Sequence, residues 1–160
     1  MSTITLPKAV AQRLERKARE AGLSLSEYLF SMVARDLDPS IGAEWYIDGA
    51  LELLEEAKGE LEKGDLRQAS EKVWGAYALS IKAYASFKEG KRLESHGELW
   101  IYKNKVAEEL GGYVKTTLRQ ADSMHKNFYE NLATREDVED VAGEVAKLIS
   151  DIAAIIKKDT

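Results

Sequence analysis

Apolar side chains recur every three or four residues over residues 66–85, which predicts a long helix with one buried face. Aromatic and small residues alternate on this face, so that neighbouring helices can approach it closely. Gly64 is placed to end the preceding helix, and Asp65 and Gln68 have the spacing of a capping box. The apolar positions are Leu66, Ala69, Val73, Trp74, Tyr77, Ala78, Ile81, Tyr84 and Ala85.

Helical patterns continue through the rest of the chain after Asp38-Pro39, a pair that suits the first residues of a helix. Ser95 begins a second capping box, and Thr134 is placed to cap the last helix, whose apolar stripe is the most regular in the chain. The connections are short and no strand pattern follows residue 6. The sequence therefore predicts an all-α, up-and-down bundle of about five helices over residues 39–160.

The first 38 residues have a different pattern. Residues 3–6 alternate polar and apolar side chains, as a half-buried strand does, and Pro7 ends this stretch. Two short helical stripes follow, separated by Gly22. We therefore expect a short strand and a two-helix arm over residues 1–38, and a separate bundle domain over residues 39–160.

Composition excludes several classes of site. With no cysteine and two histidines, the chain offers no thiol nucleophile, no disulfide and no Cys-ligated metal site. It contains no phosphate-binding glycine loop, nucleophile elbow or dinucleotide fingerprint. We therefore predict no cofactor and no metal. The abundance of Glu and Lys, with few Asn and Gln, favours a heat-adapted source.

Charge and hydropathy bear on partners. The net charge is −5, with +1 on residues 1–39 and −6 on residues 40–160, which argues against broad, non-specific binding of nucleic acid. No apolar run reaches membrane-spanning length, and the N-terminus lacks a signal-peptide pattern. The expected location is the cytoplasm, without a membrane partner.

Residues 2–37 resemble the ribbon-helix-helix family, through the Leu-Pro pair after the strand and the run GLSLSE at residues 22–27. The resemblance implies that two strands pair across a dimer and enter the major groove of DNA. Thr3 and Thr5 would then read bases, with Lys8 as the nearest cation. The strand lacks Arg, Lys, Asn and Gln, which recognise base edges best. A dimerisation arm without DNA readout is therefore the alternative.

Three motifs in the bundle resemble the archaeal PaREP family, which belongs to the HEPN-like helical domains. They are the helix-pair segment GDLRQASEKVWGAYALSIKAYA from residue 64, the pair Ser95-His96, and the run HKNFYE from residue 125. The resemblance covers roughly residues 43–156. It implies a two-fold homodimer with a cleft between the copies, and in some members a metal-independent endoribonuclease.

The active motif of such enzymes is an Arg, a polar residue and, several residues later, a His. Arg119-Gln120 and His125 match this order. The resemblance implies that Arg119 stabilises phosphate charge and that His125 is the general acid or base, with Tyr129 one turn further on. Gln120 departs from the Asn, Asp or His that is commoner in active members.

A packing role for His125 is the alternative, because it follows Arg119 by six positions, which place the two about 120° apart around a helix. In that case His125 would bond to Tyr129 or Asp122, one turn away. By the same reasoning His96 would cap or pack at a helix N-terminus. Lys72 and Lys82 on the helix of residues 66–85 could face a cleft, but we expect both to be surface cations.

Two functions are consistent with these patterns. One is a homodimer that binds or cleaves RNA or a nucleotide at its cleft. The other is a non-catalytic regulator, similar to those of toxin–antitoxin systems, whose N-terminal arm binds operator DNA or dimerises while the bundle binds a partner.

Overall fold

The computed structural model describes residues 2–158 and is all-helical, as the sequence predicts. The ends of the two predicted domains, at residue 1 and residues 159–160, lie outside the described residues. Seven helices are present in this part of the chain. They are α1 (Lys8–Ala21), α2 (Leu25–Ala34), α3 (Pro39–Lys63), α4 (Leu66–Glu89), α5 (His96–Leu110), α6 (Tyr113–Glu130) and α7 (Arg135–Lys158).

The strand predicted at residues 3–6 is wrong. This segment has no regular secondary structure and no strand partner among the described residues, and Ile4 is 81% exposed. A strand needs a neighbouring strand to satisfy its backbone groups, and residues 2–158 provide none. The alternating pattern is therefore present without the partner that would make it a sheet.

The predicted bundle of about five helices is also wrong, because the bundle of the described residues has seven helices. The two N-terminal helices pack on the other five. Helix α2 contacts α3 and α4, and α1 contacts α2. The sequence pattern missed this packing because part of the buried side of α2 is polar: Glu27 is 0% exposed. Two helices therefore join the five that follow residue 38.

Helix termini form where the sequence places their signals. The amide of Gln68 donates to Oδ1 of Asp65 at 3.0 Å, and Gly64 takes the left-handed conformation at φ 80°. Ser95 forms a capping box that opens α5. The amide of Asp137 donates to the Thr134 hydroxyl at 3.1 Å. These local bonds fix where the helices start and stop.

Helix α4 is the centre of the structure and contacts α2, α3, α5, α6 and α7. Trp74 and Tyr77 are fully buried, and the alanines beside them allow the surrounding helices to approach closely. A close approach also occurs at Gly49 on α3, where a Cβ atom would lie 2.5 Å from Cε1 of Phe30 on α2. No helix within residues 2–158 is both long and apolar enough to cross a membrane.

Candidate active site

Two histidines from different helices meet beside the indole ring of Trp74. The ring centroids of His96 and His125 are 6.0 Å apart, and that of Trp74 lies 5.2 Å from His96 and 5.4 Å from His125. His96 is the first residue of α5, His125 lies on α6, and Trp74 is buried on α4. We call His96 and His125 the histidine pair. Its members lie far apart in the chain, which is why their sequence positions do not reveal it.

A carboxylate from α4 orients His125. Its Nδ1 lies 3.2 Å from both carboxylate oxygens of Glu71. Burial lowers the pKa of His125, but the hydrogen bond and charge of Glu71 outweigh it, so the pKa is raised above its ordinary value. Nε2 has no hydrogen-bond partner within residues 2–158. The partner is thus Glu71, rather than Tyr129 or Asp122.

His96 has two neighbours that make opposite demands on one nitrogen. The indole N–H of Trp100 donates to Nε2 at 2.6 Å, and Oδ1 of Asp122 lies 3.1 Å from the same atom. A neutral ring nitrogen can accept from Trp100 or donate to Asp122, but it cannot do both. Burial lowers the pKa of His96, against the charge of Asp122. His96 is therefore the member of the pair that favours the neutral form.

A buried ion pair joins α2 to α4 close to His125. Nζ of Lys82 lies 3.1 Å from Oε2 of Glu27, and their side chains are 1% and 0% exposed. Lys82 also donates to the hydroxyl of Ser31 at 2.7 Å. Burial raises the pKa of Glu27, and Lys82 opposes this rise. The prediction that Lys82 lies at the surface is wrong, because Glu27 from the N-terminal segment covers it.

A cleft of about 430 Å³ opens beside the pair, between the α1–α2 hairpin and helices α4 and α6. Glu71 and Tyr129 both line it. Nζ of Lys72 lies on its wall, 2.9 Å from Oε2 of Glu56 and 3.1 Å from Oγ of Ser26. Tyr129 is 62% exposed, and its ring centroid lies 6.1 Å from that of His125. The cleft thus has an exposed aromatic ring next to His125 and, on its wall, a lysine that is paired with Glu56.

Arg119 lies elsewhere. It is exposed and makes no hydrogen bond or ion pair with His125 in the described part of the chain. Its charge acts on Lys103 of α5. Thr3, Thr5 and Lys8 are exposed at the N-terminal end, and none of the hydrogen bonds or ion pairs of the histidine pair within residues 2–158 involves them.

Sequence reasoning finds His125 but misses the residues that orient it. Glu71 lies on the helix that its apolar pattern presents only as a wall of the core, and Glu27 lies in the segment that the pattern separates as an arm. The available signal was a carboxylate on α4 one turn from Trp74, on the side that faces other helices. No three His, Asp or Glu side chains within residues 2–158 are arranged to hold a metal ion.

These features define a helical bundle protein with a histidine pair between helices. The model of the archaeal PaREP1/PaREP8 family matches residues 45–149, well over half of the chain, so the protein belongs to this family. The match includes Glu71, Trp74 and both histidines, whereas Glu27 precedes it.

A solved structure shows the same fold. The crystal structure of a protein from Sulfolobus solfataricus aligns with a TM-score of 0.55 and 24% sequence identity, over 65% of this chain and 92% of that one. No curated protein matches the sequence.

Proposed function

We propose that the protein binds RNA in the cleft beside the histidine pair and cleaves it without a metal ion, as a HEPN-like ribonuclease. The observation that supports this most strongly is the opposite displacement of two pKa values in rings 6.0 Å apart. Titratable groups whose surroundings push their pKa values apart are typical of an acid and base that act together. The surroundings therefore favour the charged form more at His125 than at His96.

His125 is the general acid in this proposal. Glu71 binds Nδ1 and stabilises the charged ring, which leaves a proton on Nε2 for the leaving oxygen. The side chain of His125 is 15% exposed, and the cleft is lined by Glu71, which binds its Nδ1, and by Tyr129, one turn further along α6. The pairing with Glu71 also fixes the ring orientation, which a proton transfer requires.

His96 is the general base. Its side chain is 29% exposed, and Nδ1 has no hydrogen-bond partner within residues 2–158. Base catalysis requires the tautomer with the proton on Nε2, facing Asp122, because only then is Nδ1 free to accept a proton. In the other tautomer Nε2 accepts from Trp100 and Nδ1–H can only bind the substrate.

The proposed reaction is an intramolecular transesterification, in which the phosphoryl group moves from the 5′-oxygen of the next nucleotide to the ribose 2′-oxygen. His96 removes the proton of a ribose 2′-hydroxyl, and that oxygen attacks the adjacent phosphorus. The bond from phosphorus to the 5′-oxygen of the next nucleotide breaks, and His125 gives that oxygen its proton. The products are a 2′,3′-cyclic phosphate and a 5′-hydroxyl, with His96 protonated and His125 neutral. Tyr129 provides a stacking surface for a base.

The test is cleavage of single-stranded RNA by His96→Gln and His125→Gln variants. Each should lower kcat by about 100-fold or more, and the wild-type rate should be bell-shaped in pH. Lys58→Gln, an exposed change on α3, is the control and should leave the rate unchanged. If Arg119→Gln abolishes kcat while His96→Gln retains it, the Arg119–His125 motif is the site and the histidine pair is not. No cleavage of any RNA by the wild type would also contradict the proposal.

A second candidate function is a homodimeric regulator whose N-terminal arm binds DNA or a partner. Residues 2–6 have no regular secondary structure and make no hydrogen bond with another part of the described chain. Leu29 and Val33 on α2 are 39% and 51% exposed, and Ile4 is 81% exposed. Exposed apolar side chains, together with a segment whose backbone groups have no partner, are typical of an interface. A second copy would pair its own segment with this one, and Thr3, Thr5 and Lys8 would face DNA.

Sedimentation equilibrium tests the dimer. Ile4→Asp should convert a dimer into a monomer, whereas Ile101→Asp, at a site 75% exposed on α5, should not. A wild-type monomer at all concentrations would contradict the second function. For DNA, Thr3→Ala/Thr5→Ala should weaken binding to the gene's own promoter, and Lys8→Gln should reduce the salt dependence of that binding.

A further inference from the structure

Helix α1 concentrates positive charge in an acidic protein. It contains five Lys or Arg and two Glu, a net charge of +3, while the rest of the chain carries −8 and the whole chain −5. All five cations are exposed, and no ion pair formed within residues 2–158 includes any of them. They are Lys8, Arg13, Arg16, Lys17 and Arg19. Cations clustered along one helix are typical of a surface that binds nucleic acid.

The C-terminal part of α1 forms a wall of the cleft beside the histidine pair. Arg19 and Glu15 line that cleft, as do Lys72 and Tyr129. Lys72 is paired with Glu56, whose Oε2 lies 2.9 Å from its Nζ. The side chain of Arg19 forms no hydrogen bond or ion pair in the described part of the chain. Of the two cations in the lining, Arg19 is therefore the one that no carboxylate within residues 2–158 neutralises.

Two more cations lie on the side of α1 that faces the cleft. At 100° per residue, Lys8, Arg16 and Arg19 fall within about 80° around the helix axis, and Lys8 lies about 17 Å from Arg19 along it. We call these three residues the basic row. Arg13 and Lys17 lie about 120° and 160° away from Arg19 around the same axis. The basic row thus leads from the cleft along the length of α1.

The apolar side of α1 is covered by α2. Leu14 and Ala21 pack with Ala18, Leu23 and Tyr28 in an apolar cluster between the two helices, and α1 contains no aromatic residue. A helix that binds a lipid surface inserts an uncovered apolar face, usually with aromatic side chains. A phosphodiester backbone needs only the exposed cations, and Arg pairs well with phosphate oxygens. The surface therefore fits a nucleic-acid strand better than a membrane.

We propose that the basic row binds the backbone of a single-stranded RNA as the strand leaves the cleft. Arg19 binds a phosphate at the cleft wall, and Arg16 and Lys8 bind phosphates further along the same strand. The role of the basic row rests on the proposed function, since that function places the RNA in the cleft. The strand is unpaired, because a base can stack on Tyr129 only when it is free of a duplex. Affinity therefore rises with the length of the strand.

Binding of a 2′-O-methyl RNA of about twelve nucleotides tests the basic row, because this probe lacks the 2′-hydroxyl that the proposed reaction needs. Arg16→Gln/Arg19→Gln should weaken binding by about tenfold or more at low salt and lower the salt slope by about 1.4, which is about 0.7 for each phosphate no longer neutralised. Arg13→Gln/Lys17→Gln removes the same charge from another side of α1 and is the matched control, with a loss of about twofold or less. Glu15→Gln should strengthen binding, because a carboxylate in the cleft wall repels the strand. All five positions are exposed, so the variants should fold, which circular dichroism checks.

Other probes separate the alternatives. A trinucleotide should bind Arg16→Gln as well as it binds wild type, whereas the longer strand should not. Equal losses in the two double variants would mean that net charge alone attracts RNA, and unchanged affinity in Arg16→Gln/Arg19→Gln would mean that the strand does not contact α1. Either result overturns the proposal. Tighter binding of wild type to duplex DNA or to phosphatidylserine vesicles, abolished in Arg16→Gln/Arg19→Gln, also overturns it, because the basic row then has a different partner.

The binding result is independent of RNA cleavage. If wild type binds the probe through the basic row but cleaves no RNA, the ribonuclease function is refuted and the RNA-binding surface stands. If wild type cleaves RNA and Arg16→Gln/Arg19→Gln binds the probe with unchanged affinity, the ribonuclease function stands and the role of the basic row is refuted.

Discussion

The indole nitrogen of Trp100 lies 2.6 Å from Nε2 of His96, closer than the 3.1 Å that separates the same histidine nitrogen from Oδ1 of Asp122. An indole N–H can only donate, so Trp100 favours a lone pair on Nε2, whereas Asp122 favours a proton there. Asp122 is also engaged by Lys126, whose Nζ lies 3.2 Å from Oδ2. The tautomer of His96 therefore depends on a balance between two fixed neighbours.

Trp100→Phe should raise the pKa of His96, because it removes the donor and lets Nε2–H pair with Asp122. Since the folded-state pKa of His96 lies below its ordinary value, the protein loses stability as pH falls through about 6.5, and the variant should lose less. Nuclear magnetic resonance titration and urea unfolding at pH 5 and 7.5 measure both effects. Trp45→Phe is the control, because its indole N–H bonds to the Phe30 carbonyl. A pKa that stays unchanged or falls in Trp100→Phe would refute this account.

Glu71→Gln should lower the pKa of His125, because the amide retains the shape of the carboxylate but loses its charge. A raised histidine pKa stabilises the folded state at a pH below about 6.5, and this contribution is lost as pH rises through the folded-state pKa. The variant should therefore be less stable than wild type at pH 5.5, by on the order of 1 kcal/mol, and closer to it at pH 8.5. Denaturant unfolding at the two pH values measures this. An equal difference at both would show that Glu71 acts through packing alone.

Lys82→Met should destabilise the protein by about 3–5 kcal/mol, because it leaves Glu27 buried without a partner. Glu27→Gln/Lys82→Met should recover part of that loss, since both charges are then absent. A double-mutant cycle in urea gives the coupling energy of the pair. Lys58→Met, in an exposed pair with Glu55, should change stability by less than about 0.5 kcal/mol. If the double variant is no more stable than Lys82→Met, the ion pair is not what holds α2 on α4.

Gly49→Ala should destabilise the protein by about 1–3 kcal/mol, because the added methyl group would overlap the Phe30 ring. Phe30→Leu in the same chain should relieve the overlap and restore part of the stability. Gly59→Ala on the same helix has open space around its Cβ position and should stabilise slightly, through helix propensity. Thermal unfolding of the variants measures the effects. If Gly49→Ala and Gly59→Ala were equally stable, α2 would be able to move away from α3 without cost, and the predicted overlap with Phe30 would be wrong.

The helices and their ends were predictable from the sequence because their signals are local. Asp65, Ser95 and Thr134 each bond to an amide three residues on, and the apolar stripe of α4 is read directly from its spacing. The prediction of a strand at residues 3–6 was wrong because strand pairing depends on a second segment, which a local pattern does not reveal. The packing of α2 on the bundle was not predicted, because its contact with α4 includes a buried charged residue, which a hydrophobic pattern does not reveal.

The candidate site was only partly predictable for the same reason. His125 carried a family motif, and the motif paired it with Arg119 on its own helix. Its partners in space are Glu71 and His96, which come from other helices. Periodicity gives the direction of a side chain relative to its own helix, whereas the identity of the facing residue follows only from how the helices pack.

The ion pair between Glu27 and Lys82 couples ligand binding in the cleft to ligand binding on the outer face of the α1–α2 hairpin. A molecule that draws the hairpin of α1 and α2 away from α4 has to separate two fully buried opposite charges, and the same movement would change the shape of the cleft that the hairpin lines. By linkage, whatever binds the outer face of the hairpin changes the affinity of the cleft by the same factor by which the cleft's ligand changes the affinity of that face.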